Sequence, residues 1–448
     1  MNVLVVGGRR SGVYASILAK TKGFNVFLTE KAVNDEVKSY EPLLKKYDIP
    51  YEFGNHSFDK FYNFDLVVLS PGVPKDAPIV KFLDNSGKKI IGELEFANMF
   101  APNTEVVAIT GTNGKSTTTA LTGSIFKLSE PSTVVGGNLG TPYSELLLHN
   151  PNPKYAVLET SCFQLETIEQ YHPKVSVFLN LTEDHLDRYK TMSEYFEVKK
   201  RIFMNQNERD FAVLNFEDEN LFELSKTLKP KVFFFSLKNE VERGTFLFKD
   251  EIFFRDAKNK KPQKIIDRSS IKLPGLHNAE NVLASITAAK LMNIPVEIIK
   301  EGIETFKGLE HRLEFVRALN GVTYVNDSKS TTPDSTIKAL EAFNEKVILI
   351  LGGSSKNNSF KKLAEMFDSH VKFLILLGET ADEIEKAAKS AHFDKYAKVK
   401  TLKEAVEFAK AMAKSGDIVL LSPACASFDM FKNFEDRGEK FKEIVKAL

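Results

Sequence analysis

Cysteine is nearly missing from this chain. Only Cys162 and Cys425 occur in 448 residues, so no disulfide framework is indicated and a reducing compartment suits the protein. A dominant charge is missing too. The 61 Lys and Arg against 60 Asp and Glu leave a net +1, which removes the broad basic field that a nucleic-acid or membrane-surface partner needs. No apolar run reaches the roughly 18–20 residues of a membrane helix. The N-terminus MNVLVVGG has no basic segment and no small-residue cleavage site, and reads as a first strand entering a glycine turn. No solenoid-period repeat or low-complexity tract is visible. The expectation is a cytoplasmic protein of two to four domains, with neither nucleic acid nor membrane as partner.

What is present is most concentrated in VVAITGTNGKSTTT at 106–119. An apolar strand ends in a turn carrying Gly111, Thr112, Asn113, Gly114, Lys115, Ser116 and Thr117, and a helix-compatible segment follows. This is the layout of a phosphate-binding loop. Glycines let backbone N–H groups approach a polyphosphate, the helix N-terminus attracts its charge, Lys115 reaches the terminal phosphates and Ser116 can ligate Mg²⁺. The strict loop has a glycine where Ile109 stands, so this is a variant form. A chance glycine turn is the bland alternative, and the flanking strand and Lys-Ser-Thr triplet argue against it.

Strands alternating with helical stretches predict an α/β protein in three segments. The first, about 1–98, has strands at Val3–Val6, Asn25–Leu28 and Asp65–Leu69. Its turn Gly7-Gly8-Arg9-Arg10-Ser11-Gly12 invites a dinucleotide reading with Glu30 as the ribose acid, although the glycine spacing does not match that fingerprint. The second, about 99–308, holds the phosphate loop, strands at Tyr155–Glu159 and Val175–Leu179, and later strand-like runs at Val232–Phe235 and Gly244–Phe254. The third, about 309–448, has strands at Val322–Val325, Val347–Leu351, Phe373–Leu377 and Ile418–Leu421, with function expected at their C-terminal ends.

Several residues are placed for chemistry. Glu159 ends a buried strand, where a carboxylate in a phosphate-loop enzyme helps hold Mg²⁺; a solvated strand-end acid is the alternative. His185, in the polar cluster Asn180–Asp187, reads either as a ligand to a hard cation or as a structural histidine. At 100° per residue, Tyr195, Phe196, Val198, Ile202 and Phe203 share one helix face with Lys199 near its middle, whereas Lys200 falls outside. A lysine there either snorkels or carries a functional charge, as an ammonium or as a carbamate facing Mg²⁺. Arg312 can neutralise phosphate, and Asp327 and Lys329 follow a strand into a crevice. The loops Gly352–Lys356 and Ser422–Phe428 also follow strands. Cys425 has no histidine with a supporting acid to make it a nucleophile.

Nine motifs occur in order: GTNGKSTTT (111–119), GGNLGTP (136–142), LETSCFQLE (158–166), NLTEDHLDRY (180–189), KKRIF (199–203), LPGLHNAEN (273–281), GLEHRLE (308–314), NDSKSTTPDST (326–336) and LSPACASFDMFKNFEDRGEKF (421–441). Together they resemble the Mur ligase family over essentially the whole chain. The resemblance implies a Rossmann-like UDP-substrate domain (1–98), a P-loop-type ATPase domain (99–308) and a Rossmann-like amino-acid domain (309–448). It implies ATP-dependent addition of D-glutamate to UDP-N-acetylmuramoyl-L-alanine through an acyl phosphate, by a monomer. In that scheme Lys115 binds the β/γ-phosphates, Ser116 and Glu159 hold one Mg²⁺, and His185 with a carbamylated Lys199 serves a second. Asn138 lies near the reacting carboxylate and amine. Asn278 and Asn281 take adenine-side positions, and Arg312, Asp327 and Lys329 contact the nucleotide. Thr331, Lys356, Ser427 and Phe434 contact D-glutamate. Ser11, Lys31, Ser70 and Gly72 are the UDP-side candidates. A related ligase for another amino acid is the nearest alternative; a meso-diaminopimelate-adding member is expected to carry a DNPR-like motif, where this chain has SPACASFDMF. A regulatory protein that kept the loop would be expected to lose Glu159, His185 and Lys199, all of which are here.

Overall fold

Val3, Leu4, Val5 and Val6 are all buried, the pattern of a central strand in a parallel sheet covered on both faces. The computed structural model describes residues 1–448 apart from Leu186, Asp187, Lys258, Pro274, Asn344 and 356–358. It divides into two compact units, one of residues 1–272 with 276–306 and one of 273–275 with 307–448.

The first unit contains two sheets. The smaller has five parallel strands in the order Tyr51–Phe53, Asn25–Glu30, Asn2–Val6, Leu66–Leu69, Lys89–Gly92. The chain reverses direction of winding between Asn2–Val6 and Leu66–Leu69, and the crevice beyond their carboxyl ends is where such sheets bind ligands. The larger runs Gln263–Asp267, Glu251–Arg255, Gly244–Phe248, Lys231–Ser236, Phe211–Asn215, Val175–Phe178, Glu105–Thr110, Tyr155–Glu159, Val134–Gly137. Its parallel part aligns Ile109 with Glu159 and Val177, so the phosphate loop and the Glu159 carboxylate leave adjacent strands at one level. Helix Leu276–Leu291 is buried almost throughout and packs on helix Lys115–Ser129. Asn281 accepts from Thr118 Oγ1, and Thr122 Oγ1 donates to Ser285, so the phosphate-loop helix is held by polar contacts inside an apolar layer.

The second unit is a six-stranded sheet in the order Glu314–Leu319, Val322–Asn326, Ile418–Leu421, Val347–Leu351, Val371–Leu376, Tyr396–Lys398. The first pair is antiparallel and the rest are parallel. Three sheets with their helices give the three-domain α/β fold implied by the sequence. One expectation needs correction: Gly244–Phe254 is not one run but two strands that turn at Lys249 and Asp250, with φ of 47° and 60°. That turn needs two left-handed residues, and neither is the glycine or asparagine that announces it in a sequence.

The two sheets of the first unit are tied by buried carboxylates. Glu95 accepts from the backbone N–H groups of Glu169, Gln170 and Tyr171, each at 2.9 Å, and Glu93 accepts from Ser144 N–H at 2.7 Å. Removing the Glu95 acceptor strands three amides at once. Glu95→Ala is expected to destabilise the protein by about 3 kcal/mol in urea denaturation; a loss under about 0.5 kcal/mol would show that these amides are served by water instead.

Candidate active site

The phosphate loop leaves its strand at Thr110. Gly111 (φ 150°) and Gly114 (φ 81°) take conformations that side chains resist, and a Cβ on Gly114 would lie 2.3 Å from Asn281 Oδ1. Ile109, standing where the strict loop has its first glycine, is still within the strand and fully buried, so no glycine is required there. Asn180 clamps the loop: its Oδ1 accepts from Asn113 N–H at 2.8 Å, its carbonyl accepts from Thr112 N–H, and its Nδ2 donates to Asn113 O. Thr182 adds a reciprocal pair with Thr112. Part of the polar cluster after Val175–Phe178 thus shapes the loop.

Two lysines meet at this loop. Lys115 Nζ donates to Gly111 O at 2.9 Å and Thr112 O at 2.8 Å. Lys199 Nζ donates to the same Gly111 O at 2.8 Å and lies 4.7 Å from the Tyr195 ring centre. Lys199 is 1 % exposed, whereas Lys200 pairs with Glu197 at the surface. Burial, and then the charge of Lys115, pull the Lys199 ammonium down to about 7.

Glu159 is buried at its strand end. Its Oε1 accepts from Asn138 Nδ2 at 2.6 Å, while Oε2 has no hydrogen-bond partner. A buried carboxylate oxygen without a donor is costly in a purely structural role and suits a cation. Ser116 is buried in the first turn of helix Lys115–Ser129, next to Lys115 and Thr117. His185 (φ 54°) sets its ring 4.9 Å from that of Phe163, with Asp184 beside it; its neighbours Leu186 and Asp187 lie outside the described residues. Asn281 bonds Thr118 and Asn278 and so braces the loop helix from behind.

A cleft of about 520 Å³ opens at the crevice of the five-stranded sheet and runs to the Gly137–Pro142 loop. Ser11, Lys31, Ser70, Gly72 and Asn138 all line it. Glu30 is committed elsewhere: its carboxylate accepts from Gly8 and Ala32 N–H at 2.7 Å each, which shapes the turn and disfavours the ribose role.

In the second unit the strand ends gather around a side chain that sequence reasoning passed over. Arg437, 2 % exposed, donates to Ser328 Oγ and O and to the carbonyls of Cys425 and Ala426 at 2.8–3.2 Å. Burial lowers its guanidinium to about 10. Arg437, Phe441 and Val445 are spaced by four and all buried, so the arithmetic that singles out Lys199 finds Arg437 too. Ser427 Oγ is buried without a partner. Phe434 opens helix Phe434–Ala447, and its carbonyl accepts from Ser328 Oγ. Asp327 is buried and accepts from Ser422 Oγ at 2.7 Å and Leu313 N–H; burial raises its carboxyl to about 6 despite the hydroxyls of Ser330 and Ser422. Lys329 sits 5.9 Å from the Phe434 ring centre, Thr331 follows two residues on, and Arg312 is exposed. Lys356 lies outside the described residues. Cys425 is buried, and its thiol is pushed up to about 11, which removes it as a nucleophile.

Arg437→Ala is expected to cost the second unit about 3 kcal/mol in urea denaturation, because four oxygens lose a donor, with only the Ala426 carbonyl among them keeping another in Ser354 N–H. Arg437→Lys recovers little of it, since an ammonium cannot reproduce the fork; full recovery would show that charge alone matters.

Three family models match the chain: MurD N-terminal domain over residues 7–79, Mur ligase middle domain over 109–289, and Mur ligase, glutamate ligase domain over 311–425. Curated relatives named UDP-N-acetylmuramoylalanine–D-glutamate ligase include those of Clostridioides difficile (44 % identical over 447 residues, 100 % of this chain and 98 % of the relative) and Koribacter versatilis (41 % over 446 residues, 100 % and 97 %). Among solved structures, the UDP-N-acetylmuramate-alanine ligase MurC of Thermotoga maritima has a TM-score of 0.61 at 22 % identity, covering 100 % of this chain and 99 % of that one. The MurF ligase of Thermotoga maritima in complex with ADP gives 0.57 at 17 %, covering 95 % and 96 %.

Proposed function

Because the chain belongs to the Mur ligase family, we propose that its first unit activates a carboxylate with ATP and its second unit holds the amino acid. The reaction is ATP-dependent addition of D-glutamate to UDP-N-acetylmuramoyl-L-alanine, a step in peptidoglycan precursor synthesis, as full-length relatives at 41–44 % identity are named for it. A sister ligase for a different amino acid is not favoured by those relatives. The observation that carries the residue assignments is Asn138, which lines the 520 Å³ cleft and also hydrogen-bonds Glu159, one strand from the phosphate loop.

A carboxylate is a poor acyl donor. Its oxygen attacks the γ-phosphorus of ATP, ADP leaves, and the acyl phosphate forms. The D-glutamate amine then attacks the acyl carbon, loses its proton, and the tetrahedral intermediate expels phosphate to give the amide. The protein's share is positioning and charge stabilisation. In our reading Gly111–Thr117 cradle the polyphosphate with Lys115 on its terminal groups, and Asn138 orients the reacting carboxylate. Asn278, Asn281, Arg312, Asp327 and Lys329 serve the nucleotide. Ser11, Lys31, Ser70 and Gly72 serve the UDP moiety. Thr331, Lys356, Ser427 and Phe434 serve D-glutamate, supported by the unpartnered Ser427 hydroxyl and the amides that open the Phe434 helix.

Mg²⁺, used with ATP by this family, neutralises polyphosphate charge when bound. Ser116 and the unpartnered Glu159 oxygen fit one ion. For a second, His185 and Lys199 are the assigned pair. The Lys199 ammonium cannot ligate and Mg²⁺ takes oxygen ligands, so a carbamate on Lys199 would supply them, and an amine lowered to about 7 has the neutral fraction that reacts with carbon dioxide. In the same reading the protein works with ATP as a monomer in the cytoplasm.

The test is phosphate release with UDP-N-acetylmuramoyl-L-alanine and a panel of D-amino acids. Release with D-glutamate is expected, and none with D-glutamate overturns the assignment. Lys199→Ala is expected to lose about 100-fold in activity and to regain part of it with added acetate or formate. A fully active Lys199→Ala would remove the carbamate.

A further inference from the structure

The first turn of the chain carries two arginines that behave differently. Arg9 is exposed and meets Glu36 at the surface. Arg10 grips Glu145 with two parallel bonds, Nε to Oε2 at 2.7 Å and Nη2 to Oε1 at 2.8 Å. Glu145 is 7 % exposed and Arg10 45 %. A forked pair of this kind fixes angle as well as distance, and a mostly buried carboxylate is poorly screened by salt.

The pair joins the two halves of the first unit at the substrate cleft. Arg10 opens helix Arg10–Thr21, beside Ser11 on one wall. Glu145 lies in the first turn of helix Tyr143–His149, which directly follows the Gly137–Pro142 loop that brings Asn138 to the other wall. Glu93 holds the same helix through Ser144 N–H. Among the described residues the other polar ties, from Lys75, Lys89, Gly92 and Glu95, grip residues 166–171, while helices Arg10–Thr21 and Glu93–Asn98 also pack their apolar faces on Tyr143–His149. A substrate whose nucleotide end rests on one wall and whose carboxylate must reach Asn138 on the other needs a single wall separation.

We propose that the Arg10–Glu145 pair is a positioning device: it sets the separation of the cleft walls and thereby governs binding of the UDP-linked substrate, not of ATP or D-glutamate. The proposal rests on the ligase reading above. Wild-type phosphate release with D-glutamate tests that reading, and the variants below test only the pair.

The experiment is steady-state kinetics on the full chain, varying each substrate in turn. Arg10→Ala and Glu145→Ala are each expected to raise KM for UDP-N-acetylmuramoyl-L-alanine about tenfold while KM for ATP stays within about twofold. The double variant is expected to be no worse than either single one, because the two residues act as a unit, and Arg10→Lys recovers part of the loss. Should an alanine variant fail to fold by circular dichroism, Glu145→Gln removes the charge at constant size and gives the same reading. A raised KM in Arg10→Ala but not in the Glu145 variants would mean that Arg10 touches the substrate directly, and the proposal falls. A lowered Tm with all KM values unmoved would make the pair a brace of the fold alone, and the proposal falls as well.

Discussion

Two ammonium groups converge on one carbonyl oxygen, that of Gly111, and much of the first unit is arranged around this. Lysines so placed repel each other, and burial first, then this repulsion, lowers the Lys199 ammonium. In the proposed function a polyphosphate laid along the loop would offset this repulsion with little reorganisation of the loop. Keeping the geometry requires a rigid loop. Asn180 clamps it from the neighbouring strand, and Asn281 presses against Gly114 from the helix behind. The strand register then delivers Glu159 at the same level.

The second unit follows similar physics with a different purpose. Arg437 is a buried cation facing neutral oxygens from two strand ends. Neutral acceptors satisfy its hydrogen bonds without spending a carboxylate, which leaves the unit's acidic groups for other work. It holds Ser328 and the 425–426 backbone in fixed positions, and these neighbour Ser427 and Phe434 in the chain or by hydrogen bond. The buried lysine of the first unit is adjustable, because burial brings its ammonium near neutrality. The buried arginine of the second is not, because a guanidinium stays charged.

Legibility in the sequence followed from how local each signal was. The phosphate loop, the strand ending at Glu159 and the apolar face around Lys199 are readable because turn chemistry and helical period are short-range. The Lys249-Asp250 hairpin was lost because its turn lacks the usual residues, and short edge strands such as Tyr51–Phe53 and Tyr396–Lys398 are too brief to show a period. Residues that act across long separations were harder still. Asn180 belonged to a recognised cluster, yet its clamp on the loop depends on a partner 67 residues away. Glu95 and Glu145 gave no signal, since a carboxylate that caps a distant segment looks like any surface acid until the fold buries it.

Among the described residues, two polar atoms are unserved where chemistry is proposed: Glu159 Oε2 in the first unit and Ser427 Oγ in the second. A buried group without a partner costs about 1–3 kcal/mol, and both sites could be relieved by a single neighbouring donor or acceptor. Glu159 shows the asymmetry most clearly, because Asn138 satisfies one oxygen and stops there. A second donor would occupy the oxygen lone pairs that a cation needs. The same asparagine lines the cleft, so one amide both half-satisfies Glu159 and faces the cleft. That coupling ties the acid's orientation to the cleft wall, and through the loop and helix that follow, to the opposite wall at Arg10.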